Sequence, residues 1–318
     1  MSTHYPAEVD SEWAPCDRCG TTAGRIIFEG PDRLYHLPGT FRVVECPVCG
    51  WIRQNPRPTS ETIGYYYPAD YVNFVGAIED EPSRLRQWDR RYGILKRRWA
   101  VESFGLSGRI LDVGCATGVF LHEMAKAGWS VTGVEPNERA AAYAQHRFGL
   151  PVHTETLRRA QLPDESFDVV TFWDVLEHVH TPWQDLVEAE RLLVDGGLLV
   201  IRVPNLESLG ARLFGSLWLG WDLPRHLYLF PRQALNEALS ELGLVVEGHR
   251  CIASGHSAFT LSLRFYLEDR YSPSAAWPQS VLRLSQTLPI RLVLAPFFWA
   301  LGRAGLSSVV TFFARKTA

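Results

Sequence analysis

After Gly108 the chain alternates short apolar runs with segments of helical period, and this alternation limits the fold more than any other feature. Arg109–Val113, Ser130–Val134, 167–172 and 198–203 are brief, mostly apolar runs of the kind that form buried strands. Between them, 119–127 and 137–148 have helical spacing, with Phe120, Leu121, Met124 and Ala125 on one side of the first. Thr181-Pro182 opens a further helix, with Thr181 as cap, Pro182 in the first turn and Gln184 placed to complete a capping box. Asp195-Gly196-Gly197 is a turn. Strands joined through helices run parallel, so the sequence predicts an α/β fold: a mainly parallel sheet covered by helices on both faces.

The segment Arg109-Ile-Leu-Asp-Val-Gly-Cys-Ala-Thr-Gly118 takes the chain from a strand through a glycine-bearing turn into a helix. Such a junction sets backbone N–H groups and a helix N-terminus against a ligand, and Gly114 and Gly118 permit close approach. The G-x-x-x-G spacing departs from the G-x-G-x-x-G dinucleotide fingerprint, and the Lys-Ser/Thr pair of a phosphate-binding P-loop is missing. Asp112, just before the turn, repels phosphate and suits a cationic ligand end. Glu135 closes the second strand, where a carboxylate accepts hydrogen bonds from ribose hydroxyls. A ligand with a ribose, an ammonium group and no phosphate satisfies both.

Together with Trp173-Asp-Val-Leu-Glu-His178 after a later strand, Asp112-x-Gly114-x-x-x-Gly118 and Glu135 resemble the class I S-adenosylmethionine-dependent methyltransferases. The likeness covers roughly residues 90–250 and the final strand, and is nearest to the ubiquinone-biosynthesis-like group acting on small molecules. It implies a Rossmann-like sheet in which 307–315 returns as an antiparallel last strand beside Leu244–Arg250. It also implies S-adenosylmethionine as cofactor, in a site that includes Asp112 and Gly118. Gly114, Cys115 and Ala116 would line its methionine part, Glu135 would take the ribose, Thr156 and Leu157 would sit near the adenine, and Asp174 near the sulfonium.

Methyl transfer from a sulfonium is an in-line displacement, and a base is needed only when the acceptor must lose a proton. His178 follows the fourth strand, where a side chain can face the ligand crevice. His226 lies in Trp221-Asp-Leu-Pro-Arg-His-Leu-Tyr-Leu-Phe230, which resembles a histidine-bearing segment of zinc-containing deoxysugar C-methyltransferases. Both are catalytic candidates, because a neutral imidazole accepts a proton near physiological pH; the alternative for each is a structural hydrogen bond. Arg225 stands where that family can carry an acid. Tyr228 is a further acceptor-side candidate, and Asp222 is placed to orient either histidine.

Four of the six cysteines form two matched pairs, Cys16-x-x-Cys19 and Cys46-x-x-Cys49, each followed by glycine. Two such knuckles offer four thiolates to one tetrahedral zinc, a closed and therefore structural site; two unrelated thiol pairs, a redox CxxC and an iron–sulfur cluster are the alternatives. The segment from Cys46 to Pro56 also resembles the N-terminal zinc segment of the deoxysugar enzymes. The expected organisation is a zinc-ribbon-like module over 1–58, a Pro- and Tyr-rich linker over 59–82, and a methyltransferase domain over 83–318.

A helix is expected over 83–104, capped by Ser83, with Leu85, Trp88, Tyr92, Leu95 and Trp99 as its packed stripe and a basic, solvated opposite side. An apolar insertion at about 257–303 includes the run 292–302, far short of the roughly 20 residues that span a bilayer. It reads as a lid, a homodimer contact or an element lying in a membrane interface. A net charge of −3 and the lack of nucleic-acid motifs argue for a small-molecule acceptor such as a sugar nucleotide, quinol or lipid-linked glycan intermediate. A nucleic-acid or protein acceptor, and a non-catalytic binding scaffold, are the competing readings. Without an apolar leader in 1–10, and with paired thiols, the chain is expected to be cytoplasmic, with peripheral contact to the inner face of the membrane as an option.

Overall fold

The computed structural model describes residues 3–68, 76–252, 255–271, 276–285 and 287–317. Five short strands come first: β1 (Ser11–Glu12), β2 (Arg25–Gly30), β3 (Phe41–Glu45), β4 (Ile52–Gln54) and β5 (Arg57–Pro58). Helix α1 (Arg84–Glu102) leads into β6 (Arg109–Val113), α2 (Val119–Lys126), β7 (Ser130–Val134), α3 (Glu138–Phe148) and β8 (Val152–His153). Then come β9 (Phe167–Trp173), α4 (Pro182–Leu192), β10 (Leu193–Pro204), α5 (Leu209–Phe214), β11 (Tyr228–Leu229), α6 (Arg232–Glu241) and β12 (Leu244–Arg250). Helices α7 (His256–Arg270), α8 (Ala276–Ser285) and α9 (Leu288–Arg303) fill the insertion before β13 (Val309–Lys316).

Seven strands form one sheet in the order β12-β13-β10-β9-β6-β7-β8. All neighbouring pairs from β10 to β8 are parallel, and β13 runs antiparallel to both β10 and β12. This is the Rossmann-like arrangement expected from the alternation, with the returning strand where the resemblance puts it. Alternate residues divide between two cores: Leu111, Val113, Val170 and Phe172 face one layer, Ile110, Val169, Leu198 and Val200 the other. Each such side chain contributes about 1.5–3 kcal/mol on leaving water, which is why a polar residue within these strands calls for a reason. The chain leaves β6 toward β7 on one side and reaches β9 on the other, so the carboxyl ends of β6 and β9 flank a topological switch point, where open α/β sheets bind ligands.

The N-terminal block does not have a core of its own. Its sheet runs β11-β4-β3-β2, so one strand comes from beyond β10, with Tyr228 opposite Arg53 and Leu229 opposite Ile52. Cys16, Cys46 and Trp51 sit in the same buried cluster as Leu227, Tyr228 and Phe230. The Trp51 ring meets Tyr228 and Phe230 edge-on, at centroid distances of 6.0 and 4.9 Å. A boundary at residue 58 therefore cuts through a continuous interior. The stretch 59–82 also holds more structure than a linker: Tyr66 is fully buried and its hydroxyl donates to the Pro38 carbonyl at 3.0 Å. Residues 69–75 of that stretch lie outside the described residues.

Three local expectations are corrected. The capping box at α4 does not form, since the Thr181 side chain makes no cap bond. Asp17, from the first cysteine knuckle, accepts from the Trp183 N–H at 2.7 Å and from the Gln184 amide at 3.2 Å, and so caps the helix across the chain. Ser83 precedes α1 but also makes no side-chain cap bond. Most of the apolar stripe of α1 points outward: Leu85, Trp88, Tyr92 and Trp99 are exposed, while Arg90 and Arg97 turn inward. In the insertion, α9 packs through buried Phe298 on Phe259 and His256 of α7. Among the described residues no helix is long and apolar enough to cross a membrane.

Candidate active site

The turn after β6 is shaped by contacts that only glycine tolerates. Gly114 has φ +65°, and a Cβ there would lie 2.6 Å from a Val175 methyl; at Gly118, with φ +75°, it would lie 2.6 Å from Leu150. The turn's own donors are spent inside the protein. The N–H groups of Gly114 and Cys115 both donate to the Val134 carbonyl, at 2.7 and 3.1 Å, and that of Gly118 to Cys115 at 2.9 Å. The Ala116 N–H donates to Glu135 at 2.9 Å. This is no phosphate cradle, because those donors are engaged within the fold. The Cys115 side chain is buried in the core, so at this position the backbone alone is left to line a crevice.

Three carboxylates and two guanidiniums meet at this sheet edge. Asp112 is buried and accepts the Thr171 hydroxyl at 2.6 Å; burial pushes its pKa up to about 7, against the pull of Thr171 and Arg97. Burial also raises Glu135, which accepts the Asn137 and Ala116 N–H groups, one on each oxygen. Each of its oxygens keeps a second lone pair for a ligand hydroxyl. Asp174, at φ +59°, takes a two-pronged ion pair from Arg202, and Arg97 stands 4.0 Å away. Burial disfavours its charge, but Arg202 and then Arg97 prevail and hold its pKa below the ordinary range. Both guanidiniums lie over the Trp173 ring, at 5.2 and 5.4 Å. Farther along, Leu157 is buried beside Val113 and Val134, and Thr156 is exposed.

The structure brings His178 and His226 together, with ring centroids 4.7 Å apart and the rings edge to face. His226 Nδ1 lies 2.8 Å from the Gly220 carbonyl, and His178 Nδ1 lies 3.0 Å from that of Arg225 and 3.1 Å from the Tyr67 hydroxyl. A carbonyl only accepts, so both Nδ1 atoms carry hydrogen and both Nε2 atoms are left as acceptors. Burial, then the neighbouring His226, lowers His178 to about 3; burial likewise lowers His226. Both rings are therefore neutral at physiological pH. The ligand atoms of Glu177, His178 and His226 converge within 4.8 Å, a donor set that a divalent cation accepts. Glu177 is buried, with Oε2 lacking a hydrogen-bond partner among the described residues, and burial followed by Asp174 raises its pKa well above the usual range.

Arg225 explains the missing acid in this loop. Its side chain is fully buried and turns away from the histidines toward Asp32, at 3.0 and 2.7 Å, and toward Asp222. Asp222 thus orients Arg225 rather than either ring. Tyr228, expected on the acceptor side, is instead fully buried against Trp51, with its hydroxyl accepting from Arg57 at 3.3 Å. Sequence reasoning missed Arg97, Tyr67 and Asp32, for which no local pattern stands out. Arg202 did carry a signal, as the one charge in the apolar run 198–203.

A methyltransferase-domain family model matches residues 65–249, more than half of the chain, a span that includes Asp112, Glu135, Asp174 and both histidines. The chain belongs to this methyltransferase family. Among curated relatives, the ubiquinone biosynthesis O-methyltransferase of Maricaulis maris is 34% identical over 163 residues, covering 45% of this methyltransferase and 64% of the relative. The enzyme of that name from Pseudomonas paraeruginosa is 34% identical over 135 residues, covering 38% and 58%. The chain thus spans somewhat less than two thirds of the curated relatives it matches. Among solved structures, the [4+2]-cyclase SpnF superposes with a TM-score of 0.50 at 20% identity, over 82% of this chain and 97% of that one, a likeness of fold alone.

Away from the sheet edge, this methyltransferase brings its four paired cysteines to one point. Cys16 and Cys49 sulfurs lie 3.5 Å apart, as do those of Cys19 and Cys46, and all four fall within 4.8 Å of one another. Each knuckle closes through an N–H to carbonyl bond, Gly20 to Cys16 at 2.8 Å and Gly50 to Cys46 at 3.0 Å. Four thiolates around zinc at about 2.3 Å stand about 3.8 Å apart, so the cluster fits that ion.

Proposed function

We propose that this protein transfers a methyl group from S-adenosylmethionine to a hydroxyl of a small-molecule acceptor, with His226 receiving the acceptor's proton. The observation that carries this reading is the pair of neutral imidazoles, each with Nε2 available, near the carboxylate-rich crevice at the switch point. At that crevice the carboxyl groups of Asp112 and Asp174 are partners for the ammonium and sulfonium of the donor, and Glu135 suits its ribose. The donor is intrinsically reactive, so most of the acceleration comes from holding the acceptor oxygen in line with the S–CH₃ bond. As the C–O bond forms and the C–S bond breaks, the proton passes from the hydroxyl to His226 Nε2, while Nδ1–H remains on Gly220. His178, fixed by the Arg225 carbonyl and Tyr67, positions His226 through their edge-to-face contact.

The name shared by the curated relatives supports oxygen as the acceptor atom, and a quinol as the first acceptor to test; sugar nucleotides and lipid-linked glycan intermediates come next. The four cysteines are read as a structural zinc site, because four protein ligands leave no open position. Zinc there would supply folding energy to a block that borrows its remaining core from the sheet domain. The test is incubation with methyl-labelled S-adenosylmethionine and a quinol, a sugar nucleotide, RNA or a protein extract. Label is expected in a small molecule and to fall by about 10²–10⁴-fold in His226→Gln, the range for losing a general base. Label in RNA or protein, or undiminished turnover in His226→Gln, contradicts the proposal.

A further inference from the structure

The surface opposite the inward guanidiniums of α1 is not built for water. Along that helix Trp88 stacks on Tyr92 at 5.4 Å, Tyr92 meets Trp99 edge-on at 6.2 Å, and Lys96 sits 4.9 Å over the Tyr92 ring. These three aromatic side chains are 41–63% exposed. Arg291 of α9 stands 3.7 Å from Asp89 of α1, which places the start of α9 beside this ladder. Among the described side chains of α9 only Phe298 is buried; Leu292, Val293 and Trp299 are 64–73% exposed, and Arg303 lies 5.7 Å over the Trp299 ring. The sequences of α8 and α9 contain Arg283, Arg291 and Arg303 and no Asp or Glu.

We infer that α1 and α9 together form a docking face for an anionic lipid surface. Trp and Tyr side chains prefer the headgroup level of a bilayer, where ring and polar edge are both accommodated, and exposed arginines and lysines beside them meet lipid phosphates. The same composition disfavours a second copy as occupant. A two-fold contact through this face would set Arg84, Lys96 and Arg303 against themselves; Asp89 of α1 already pairs with Arg291, and α8 and α9 have no acid to answer the rest. The local excess of positive charge on a chain of net charge −3 favours a negatively charged partner. Because Arg97 reaches from the inner side of α1 to Asp174 and Trp173, the docked helix is also one wall of the crevice. The inference does not depend on which acceptor the enzyme uses.

The test is flotation of the full chain with vesicles of phosphatidylcholine mixed with phosphatidylglycerol, and with vesicles of phosphatidylcholine alone. The chain is expected to float with the mixed vesicles and to be released as salt rises from about 0.1 to about 1 M, where the screening length shrinks from about 10 to about 3 Å. The double variant Trp88→Ser, Trp299→Ser is expected to bind about tenfold more weakly or less, since interfacial binding scales with inserted apolar area. Its affinity for S-adenosylmethionine should be unchanged. Arg84→Glu, Arg303→Glu tests the same face through charge and should lose flotation likewise. No flotation with either composition, equal flotation with both, or equal binding by the wild type and both variants overturns the inference. So does a wild-type dimer in light scattering that these variants convert to the 36.0 kDa monomer, because a second copy would then cover the face.

Discussion

Replacing Asp32 with Asn tests whether the N-terminal block and the histidine-bearing loop are one structure. Asp32 and Arg225 side chains are both fully buried, one in the block and the other in the loop whose carbonyl holds His178. Asp32 Oδ1 accepts the Leu34 and Tyr35 N–H groups at 3.0 and 3.1 Å as well as Arg225 Nη2 at 2.7 Å, and Asn keeps an acceptor there. The loss falls on Oδ2, where the Asn amide would oppose Arg225 Nη1 across 3.0 Å, donor against donor. A lost charge-assisted hydrogen bond costs about 1.5–3 kcal/mol, and breaking a buried ion pair about 3–5 kcal/mol. Asp222 still bonds the guanidinium, at 2.7 Å at its shortest, so the expected loss lies near the lower end, about 3 kcal/mol. The assay is urea unfolding followed by circular dichroism, with Arg25→Gln as control. That change removes the exposed partner of Glu45 and should cost no more than about 0.5 kcal/mol. The shared core further predicts a single transition for block and domain. A loss under about 1 kcal/mol, or an N-terminal block that melts alone, would refute the reasoning.

Three other outcomes are expected. Gly114→Ala should weaken S-adenosylmethionine binding and cost at least about 1–2 kcal/mol of stability from the left-handed backbone alone, read by titration and urea unfolding; wild-type affinity would show the turn to be unimportant. Cys46→Ser should release metal, measured by elemental analysis, and lower the unfolding temperature, whereas a metal-free wild type of full stability would remove the zinc reading. His178 and His226 titrate below their ordinary value in the fold, so the unfolded chain takes up protons first on acidification. Their stabilising contribution is complete above pH of about 6.5 and is lost as pH falls toward about 3. The melting temperature of His226→Gln should therefore drop less between pH 7 and pH 5 than that of the wild type, and an equal drop would speak against the neutral pair.

The sheet was legible because its strands are buried on both faces, and that burial writes itself into runs such as 198–203. The glycine turn after β6 was legible for a similar reason: Gly114 and Gly118 answer purely local demands of backbone angle and space. What the sequence hid is long-range pairing. Asp17 caps a helix that starts at Pro182, Asp32 neutralises Arg225, and β11 completes an N-terminal sheet. None of these partners lies within the few residues over which periodicity or capping patterns act. The α1 stripe shows the opposite failure. Its spacing marks one helical face correctly, but periodicity cannot tell a face that packs on protein from one left outward, and here Leu85, Trp88, Tyr92 and Trp99 face out.

Isothermal titration of the full chain with S-adenosylmethionine is the most direct measurement of whether the crevice between Asp112, Glu135 and Asp174 is a donor site. One equivalent should bind, and Glu135→Ala should weaken it by about 1–3 kcal/mol, the range for lost hydrogen bonds to a charged group. Absence of binding, or preference for a dinucleotide over the sulfonium nucleoside, would contradict the account.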